Sequence, residues 1–221
     1  MSVAIIDYGS GNLRSAEKAV ESSLQDRGLC MSIQVSSCPD HIAKADHIIL
    51  PGVGAFGDCI ERLRSIDGMV EALEQTVIKK GRPFLGICVG MQLMATVGHE
   101  HGDHEGLGWI KGQINPLSTP LRMLGGQDLK VPHMGWNQLE IAERHKSHPV
   151  LGGILDGDHV YFVHSYQYET ADPDHVMMWS EYGDDIPAMI GRDNLVGTQF
   201  HPEKSQEAGL RLIGNFLQWY P

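Results

Sequence analysis

The sequence has 221 residues, 42% hydrophobic and 20% charged, enough chain to bury a full core and with no biased tract that would signal disorder. Its formal net charge of -11 excludes a general affinity for nucleic acid, since phosphate backbones bind cationic surfaces by releasing counterions. The four cysteines form no C-x-x-C pair and are too sparse for a disulfide scaffold, so a reducing compartment is expected.

Val3 to Asp7 reads as a buried first strand, without the basic stretch and cleavage site of a secretory signal. Leu13, Ala16, Val20 and Leu24 recur at helical spacing behind Asn12, a residue type suited to an N-cap. Strands are predicted for Ser32 to Val35 and His47 to Leu50, a mostly helical stretch for Ile60 to Lys80, and a further apolar strand for Pro83 to Ile87. Such alternation implies an α/β fold with a largely parallel central sheet flanked by helices, whose ligands belong at the carboxyl ends of the strands.

After Gly98 the pattern changes to short strand-like pieces punctuated by Gly, Pro and Asp. They are Leu107 to Ile114, Lys130 to Leu139, His159 to Tyr168, Val176 to Tyr182, Ala188 to Arg192 and Leu195 to Phe200. They predict antiparallel strands added in the C-terminal half. A last helix from about Ser205 to Tyr220 carries an apolar stripe of Leu210, Ile213, Phe216, Leu217 and Tyr220. With no repeat and no linker, a single domain over 1–221 is expected. The longest uncharged segment, Pro83 to Gly98, is too short to cross a bilayer comfortably and reads as a buried strand and helix, so no membrane association and a cytoplasmic location are expected.

Chemistry concentrates in two runs. In Gly86-Ile87-Cys88-Val89-Gly90-Met91-Gln92 a thiol stands between glycines at a predicted strand-to-helix turn, where close approach of the two elements exposes a nucleophile and the helix dipole favours its thiolate. In His201-Pro202-Glu203, after the strand ending at Phe200, residues two apart in an extended segment lie on one side, so the carboxylate can orient the imidazole. Cys88, His201 and Glu203 thus form a candidate nucleophile, base and orienter. Cys30, Cys38 and Cys59 read as buried packing residues.

Two glycine loops also sit at strand ends. Pro51-Gly52-Val53-Gly54-Ala55-Phe56 fits either a plain turn or a loop that presents N–H groups to an oxyanion, and it lacks the Lys-Ser or Lys-Thr pair of a phosphate loop. Asp7-Tyr8-Gly9-Ser10-Gly11-Asn12 is not a dinucleotide fingerprint. The histidines of His99-Glu100-His101-Gly102-Asp103-His104-Glu105 match no standard zinc spacing, so a solvated polar loop, no metal and no cofactor are expected. Trp109, Trp136, Trp179 and Trp219 read as core or interface aromatics.

Taken together, these runs resemble the class I, triad-type glutamine amidotransferases. With Pro132-His133-Met134-Gly135-Trp136-Asn137, Tyr161-Phe162-Val163-His164-Ser165-Tyr166 and Gln199 to Ser205, the chain is similar to the glutaminase subunits of imidazole glycerol phosphate synthase over nearly its whole length. The resemblance implies that L-glutamine is hydrolysed by Cys88, His201 and Glu203. It implies an oxyanion site from Gly52, Val53, Gly54 and Val89, and substrate contacts from Gln92, Glu100, Ser165 and Tyr166. It also implies transfer of ammonia to a separate (β/α)8-barrel cyclase subunit, itself about 250 residues and too large to fit within this chain. Asn12, His133, Met134, Trp136, Tyr161 and Lys204 are the interface positions so implied, exposed aromatic and Met side chains suiting a binding surface.

Ser22 to Ser37 looks slightly long for such a subunit, and Leu121 to Leu129 carries a flexible Gly125-Gly126 pair. Glutaminase subunits for anthranilate, carbamoyl phosphate or pyridoxal phosphate synthesis share the elbow and the His-Pro-Glu run, but the His-Met-Gly-Trp-Asn and Phe-Val-His-Ser-Tyr runs oppose them. A catalytically silent regulatory homologue is opposed by the presence of all three triad residues. The isolated chain is expected to hydrolyse glutamine poorly, with the Gly52-Val53-Gly54 donors misaimed until a partner binds.

Overall fold

The computed structural model describes residues 1–117 and 129–221. The Gly125-Gly126 pair and the rest of its segment up to position 128 lie outside them. The first half contains β1 (Ser2–Ile6), α1 (Leu13–Asp26), β2 (Ser32–Ser36), α2 (Pro39–Ile42), β3 (His47–Gly52), α3 (Phe56–Ser65), α4 (Met69–Leu73), a π-helical segment at Glu74–Lys79, β4 (Phe84–Cys88) and α5 (Val89–Gln92). Among the described residues nine short strands follow: β5 (Val97–Gly98), β6 (His104–Glu105), β7 (Gly112–Pro116), β8 (His133–Gln138), β9 (Glu140–Ile141), β10 (His159–His164), β11 (Tyr166–Thr170), β12 (Val176–Glu181) and β13 (Asp185–Arg192). The described chain closes with β14 (Leu195–Thr198) and α6 (Gln206–Leu217).

The central sheet runs β2-β1-β3-β4-β14-β13-β12-β9. From β2 to β14 every neighbouring pair is parallel, and the remaining pairs are antiparallel. Strands β3 and β4 are buried at every position, as expected where helices cover both faces of a sheet. The edge strand β2 alternates between exposed and half-buried residues instead. Smaller sheets are built from β10 with β8 and from β11-β7-β5-β6, where β5 and β7 pair in parallel against the antiparallel expectation.

Strand β14 belongs to both halves. It pairs antiparallel with β13 and parallel with β4, Leu195 opposite Phe84 and Thr198 opposite Ile87, although its segment reads from sequence as one more antiparallel piece. Gly197 leaves room above this strand, because a Cβ there would meet Met91 Cγ at 2.5 Å. With glycine at that point, the turn after β4 packs down onto β14.

Several local expectations are corrected. Asn12 precedes α1 but makes no side-chain capping bond. The stretch predicted helical from Ile60 begins at Phe56 and is interrupted at Gly68, whose φ of 78° leaves the helical region. Of the three cysteines read as buried, only Cys59 is; Cys38 is half-buried and Cys30 exposed, since it lies in the turn between α1 and the edge strand β2. Tyr220 is exposed beyond the end of α6, so it leaves the apolar stripe, while Leu212 joins Ile213, Phe216 and Leu217 inside. Among the described residues, no helix is long and apolar enough to cross a membrane.

Candidate active site

Cys88 ends β4 with φ 54° and ψ -113°, a conformation that side-chain-bearing residues rarely adopt. The glycines around it are required by contact. A Cβ on Gly90 would fall onto the Leu50 carbonyl oxygen, and one on Gly86 would stand 2.6 Å from the Gly90 oxygen. Helix α5 is a single turn of four residues, so its dipole gives less support to a thiolate than a long helix would.

His201 follows β14 and is fixed through its backbone. Its N–H donates to the Tyr161 carbonyl at 2.9 Å, and the Ser205 hydroxyl donates to its carbonyl at 2.6 Å. Its Nδ1 lies 2.7 Å from Glu203 Oε1, with both side chains almost wholly sealed from solvent. The intervening chain is not extended: Pro202–Lys204 form a turn of 3-10 helix, closed by Lys204 N–H on the His201 carbonyl, and this turn, not strand alternation, brings the two side chains together. Burial disfavours a charged ring, but hydrogen bonding and attraction from Cys88 and Glu203 outweigh it and hold the imidazole up to about 9.

A cavity of about 310 Å³ brings Cys88, Val89, Gln92 and His201 together with Val53, Gly54, Glu100, Ser165 and Tyr166. A thiol and a charged-form-stabilised imidazole in one concave site, with the Glu203 carboxylate bonded to the ring, have the makings of acyl transfer through a thioester. The sequence matches the family described as glutamine amidotransferase class-I over residues 4–219.

The chain belongs to the class-I glutamine amidotransferase family.

Among the relatives of this amidotransferase, the imidazole glycerol phosphate synthase subunit HisH of Rhodospirillum rubrum is 55% identical over 221 residues, covering 100% of both chains. The subunit of the same name from Brucella suis is 51% identical over 224 residues, again 100% of both. A crystal structure of a glutamine amidotransferase aligns with a TM-score of 0.68 at 17% identity, covering 98% of this chain and 97% of the other. The glutaminase domain of Trypanosoma brucei CTPS with bound acivicin aligns at 0.66 and 15% identity, covering 100% and 95%. At these identities the structural likeness shows the fold alone.

Not every expected residue of the amidotransferase lies where the sequence suggests. Gly52 does not line the cavity. It pairs with Cys88 across β3 and β4, and a Cβ on it would stand 2.6 Å from the Gly90 nitrogen and 2.7 Å from Tyr8 Oη, so its role is close packing beneath the turn. Glu100 accepts the Phe56 N–H at 2.7 Å and so ties the His-rich segment to the start of α3. In that segment His99 bonds Asp103 at 2.6 Å and His104 packs over Gly57; among the described residues no His, Cys, Asp and Glu group is arranged to hold a metal. The Val53 N–H is turned to the Ser10 hydroxyl at 3.4 Å, and that hydroxyl donates to the Val53 carbonyl.

The positions expected at an interface split into two sets. Met134 is 61% and Trp136 48% exposed, Trp136 meets the Tyr161 ring edge-on at 6.1 Å, and the exposed Lys204 ammonium lies 5.7 Å from that ring's centre. Asn12 is half-buried. His133, expected on this surface, is buried instead, stacked on Phe162 and Tyr182, because β8 alternates and sends Met134 and Trp136 to the opposite side. Trp109 and Trp219 are core residues and Trp179 is half-buried. Sequence reasoning gave no role to Ser10 or His164; a hydroxyl in a glycine loop and one histidine in an apolar strand carry no local signal of their partners.

Proposed function

We propose that this chain is a glutaminase subunit of imidazole glycerol phosphate synthase, releasing ammonia from L-glutamine for histidine biosynthesis. The buried His201–Glu203 pair beside Cys88 carries the reading, in a chain similar over its full length to subunits of that name. The Cys88 sulfur attacks the side-chain amide carbon and its proton passes to His201. The oxyanion then faces the Val89 N–H and, once the loop turns, that of Val53 or Gly54. As the C–N bond breaks, His201 returns the proton to nitrogen, ammonia leaves and a glutamyl thioester stays on Cys88. Water hydrolyses the thioester with His201 as base, giving glutamate. Glu203 orients the ring and favours its charged form throughout.

The ring's raised pKa of about 9 suits this cycle, because a proton taken from the thiol stays on His201 until the leaving group needs it. Gln92, Glu100, Ser165 and Tyr166 would hold the amino-acid end of the substrate. The ammonia would pass to a separate (β/α)8-barrel cyclase seated on the Met134, Trp136, Tyr161 and Lys204 surface, with Asn12 at its margin and His133 supporting it from beneath. The whole chain acts as one cytoplasmic domain in this reading.

The test is a glutaminase assay of the purified chain alone, with a histidine-pathway cyclase, and with the cyclase and its nucleotide substrate. Glutamate release that rises with each addition is expected, and Cys88→Ala abolishes it while the complex still uses added ammonia. Failure to support glutamine-dependent product by a well-folded complex would refute the assignment.

A further inference from the structure

Beside the triad lies a buried glutamine to which the cycle above assigns nothing. Gln199 follows β14, two residues before His201, and is wholly buried. Its backbone N–H donates to the Ala188 carbonyl at 2.8 Å. Its side chain reaches from Gln92 on one side, 3.0 Å from Nε2 to Oε1, to Cys88 on the other, 3.7 Å from Nε2 to Sγ.

The two ends of an amide are told apart by their partners, and here the partners leave one assignment. The Tyr166 carbonyl can only accept, so the Gln92 group 3.3 Å from it is the NH2. That NH2 also faces Gln199, whose near atom must therefore be its oxygen, and the Gln199 NH2 is left pointing at sulfur. Reversing Gln199 would set two donors against each other. The same carbonyl also fixes His164, whose Nδ1 lies 2.9 Å away and must donate. Nε2 of His164 then accepts from His133 Nδ1 at 3.0 Å, and His133 Nε2 accepts from Asn137 Nδ2 at 3.2 Å. Burial keeps both rings neutral, His133 down to about 3 with the help of His164, and His164 down to about 4, which preserves this direction at neutral pH.

We propose that Gln199 is a further residue of the active site, whose side-chain amide donates a hydrogen bond to the Cys88 sulfur and stabilises its thiolate, with Gln92 fixing the direction of that amide. The proposal deepens the reading of Cys88 as the glutaminase nucleophile and rests on it. Hydrogen bonds to a charged acceptor are stronger than those to its neutral form, so a donor at this point enlarges the thiolate fraction, which is the attacking species. Both N–H groups of Gln92 are committed, to Tyr166 and to Gln199, and its oxygen is the atom left to accept from a bound substrate. Substrate contact and nucleophile support thereby share one side chain.

The experiment is alkylation of the full-length chain by iodoacetamide between about pH 6 and pH 10, with Cys88 followed separately from Cys30, Cys38 and Cys59 by peptide mass. Gln199→Met keeps the bulk and removes the donor. At pH 7 it should slow Cys88 alkylation about tenfold, and the rate should return towards that of the unmodified chain as pH rises. A rate unchanged at every pH, or lowered equally at every pH as loss of access would do, overturns the proposal. Gln199→Glu, which puts oxygen in place of NH2, gives an independent reading should the Met variant fold poorly. It must slow alkylation at pH 7 by at least as much, and an unaltered rate overturns the proposal. Alkylation needs neither glutamine nor a partner. A Cys88 that responds to Gln199 in a chain that never hydrolyses glutamine would refute the functional reading and leave the hydrogen bond standing.

Discussion

Ser10 and Val53 are tied together twice, the Ser10 hydroxyl donating to the Val53 carbonyl and accepting the Val53 N–H at 3.4 Å. The Cys59 thiol adds a contact of 3.4 Å to the same carbonyl. One of the backbone donors expected to meet the oxyanion is therefore occupied by a side chain from the first glycine loop. Removing that side chain with Ser10→Ala should raise glutamine hydrolysis by the isolated chain about fivefold, the worth of one net hydrogen bond of about 1 kcal/mol. Glutamate release measured without a partner checks it. An unchanged or lower rate would mean that Ser10 is not the restraint.

Glu203 and Cys88 raise the His201 pKa from 6.5 to about 9, against the effect of burial. A raised pKa means that the folded state binds the proton more tightly than the unfolded one. This contribution to stability is complete below about pH 6.5 and is lost as pH rises through about 9. Glu203→Gln should flatten that alkaline decline in urea unfolding. In the complex it should lower kcat by about 10² to 10⁴ and move the alkaline limb of the rate profile to lower pH. A limb that stays in place would remove Glu203 from the control of the ring.

Gly90 touches the Leu50 carbonyl so closely that no side chain fits between them. Gly90→Ala must part the turn after Cys88 from β3, and a loss of about 3 kcal/mol in urea unfolding is expected. A variant with the stability of the unmodified chain would show that the turn relaxes freely.

Trp136 is 48% exposed beside Met134, and its contact with Tyr161 is an edge-on pair at the surface. Trp136→Ala should change folding stability by less than about 0.5 kcal/mol. It should weaken binding of the cyclase about thirtyfold, as loss of an aromatic anchor does. Titration of the two subunits decides it, and unaltered affinity would place the interface elsewhere.

The parallel block was legible because strands buried on both faces are written as unbroken apolar runs, as in β3 and β4. The Cys88 turn was legible because its glycines stand in for contacts that forbid a side chain. The burial of His133 was not, since the Pro132 to Asn137 run resembles a surface and only the alternation of β8 against β10 decides which side chains face inward. Nor was the turn at Pro202–Lys204, where a His-x-Glu spacing fits a strand as well as a helical turn. Ser10 and Gln199 were beyond local pattern altogether, each meeting its partner across more than forty residues of chain.

The sequence by itself determined the residue types and the local shapes: a thiol raised on a glycine turn, a histidine with a carboxylate two positions on, and apolar strands to carry both. The tertiary structure decided that β14 pairs with β4, and that pairing brings the segment carrying His201 and Gln199 to Cys88. It also decided that the Val53 N–H is held by Ser10. The physical reason is the same in each case. Periodicity and turn chemistry act over a few residues, whereas these contacts join segments whose meeting depends on strand order and on which faces pack.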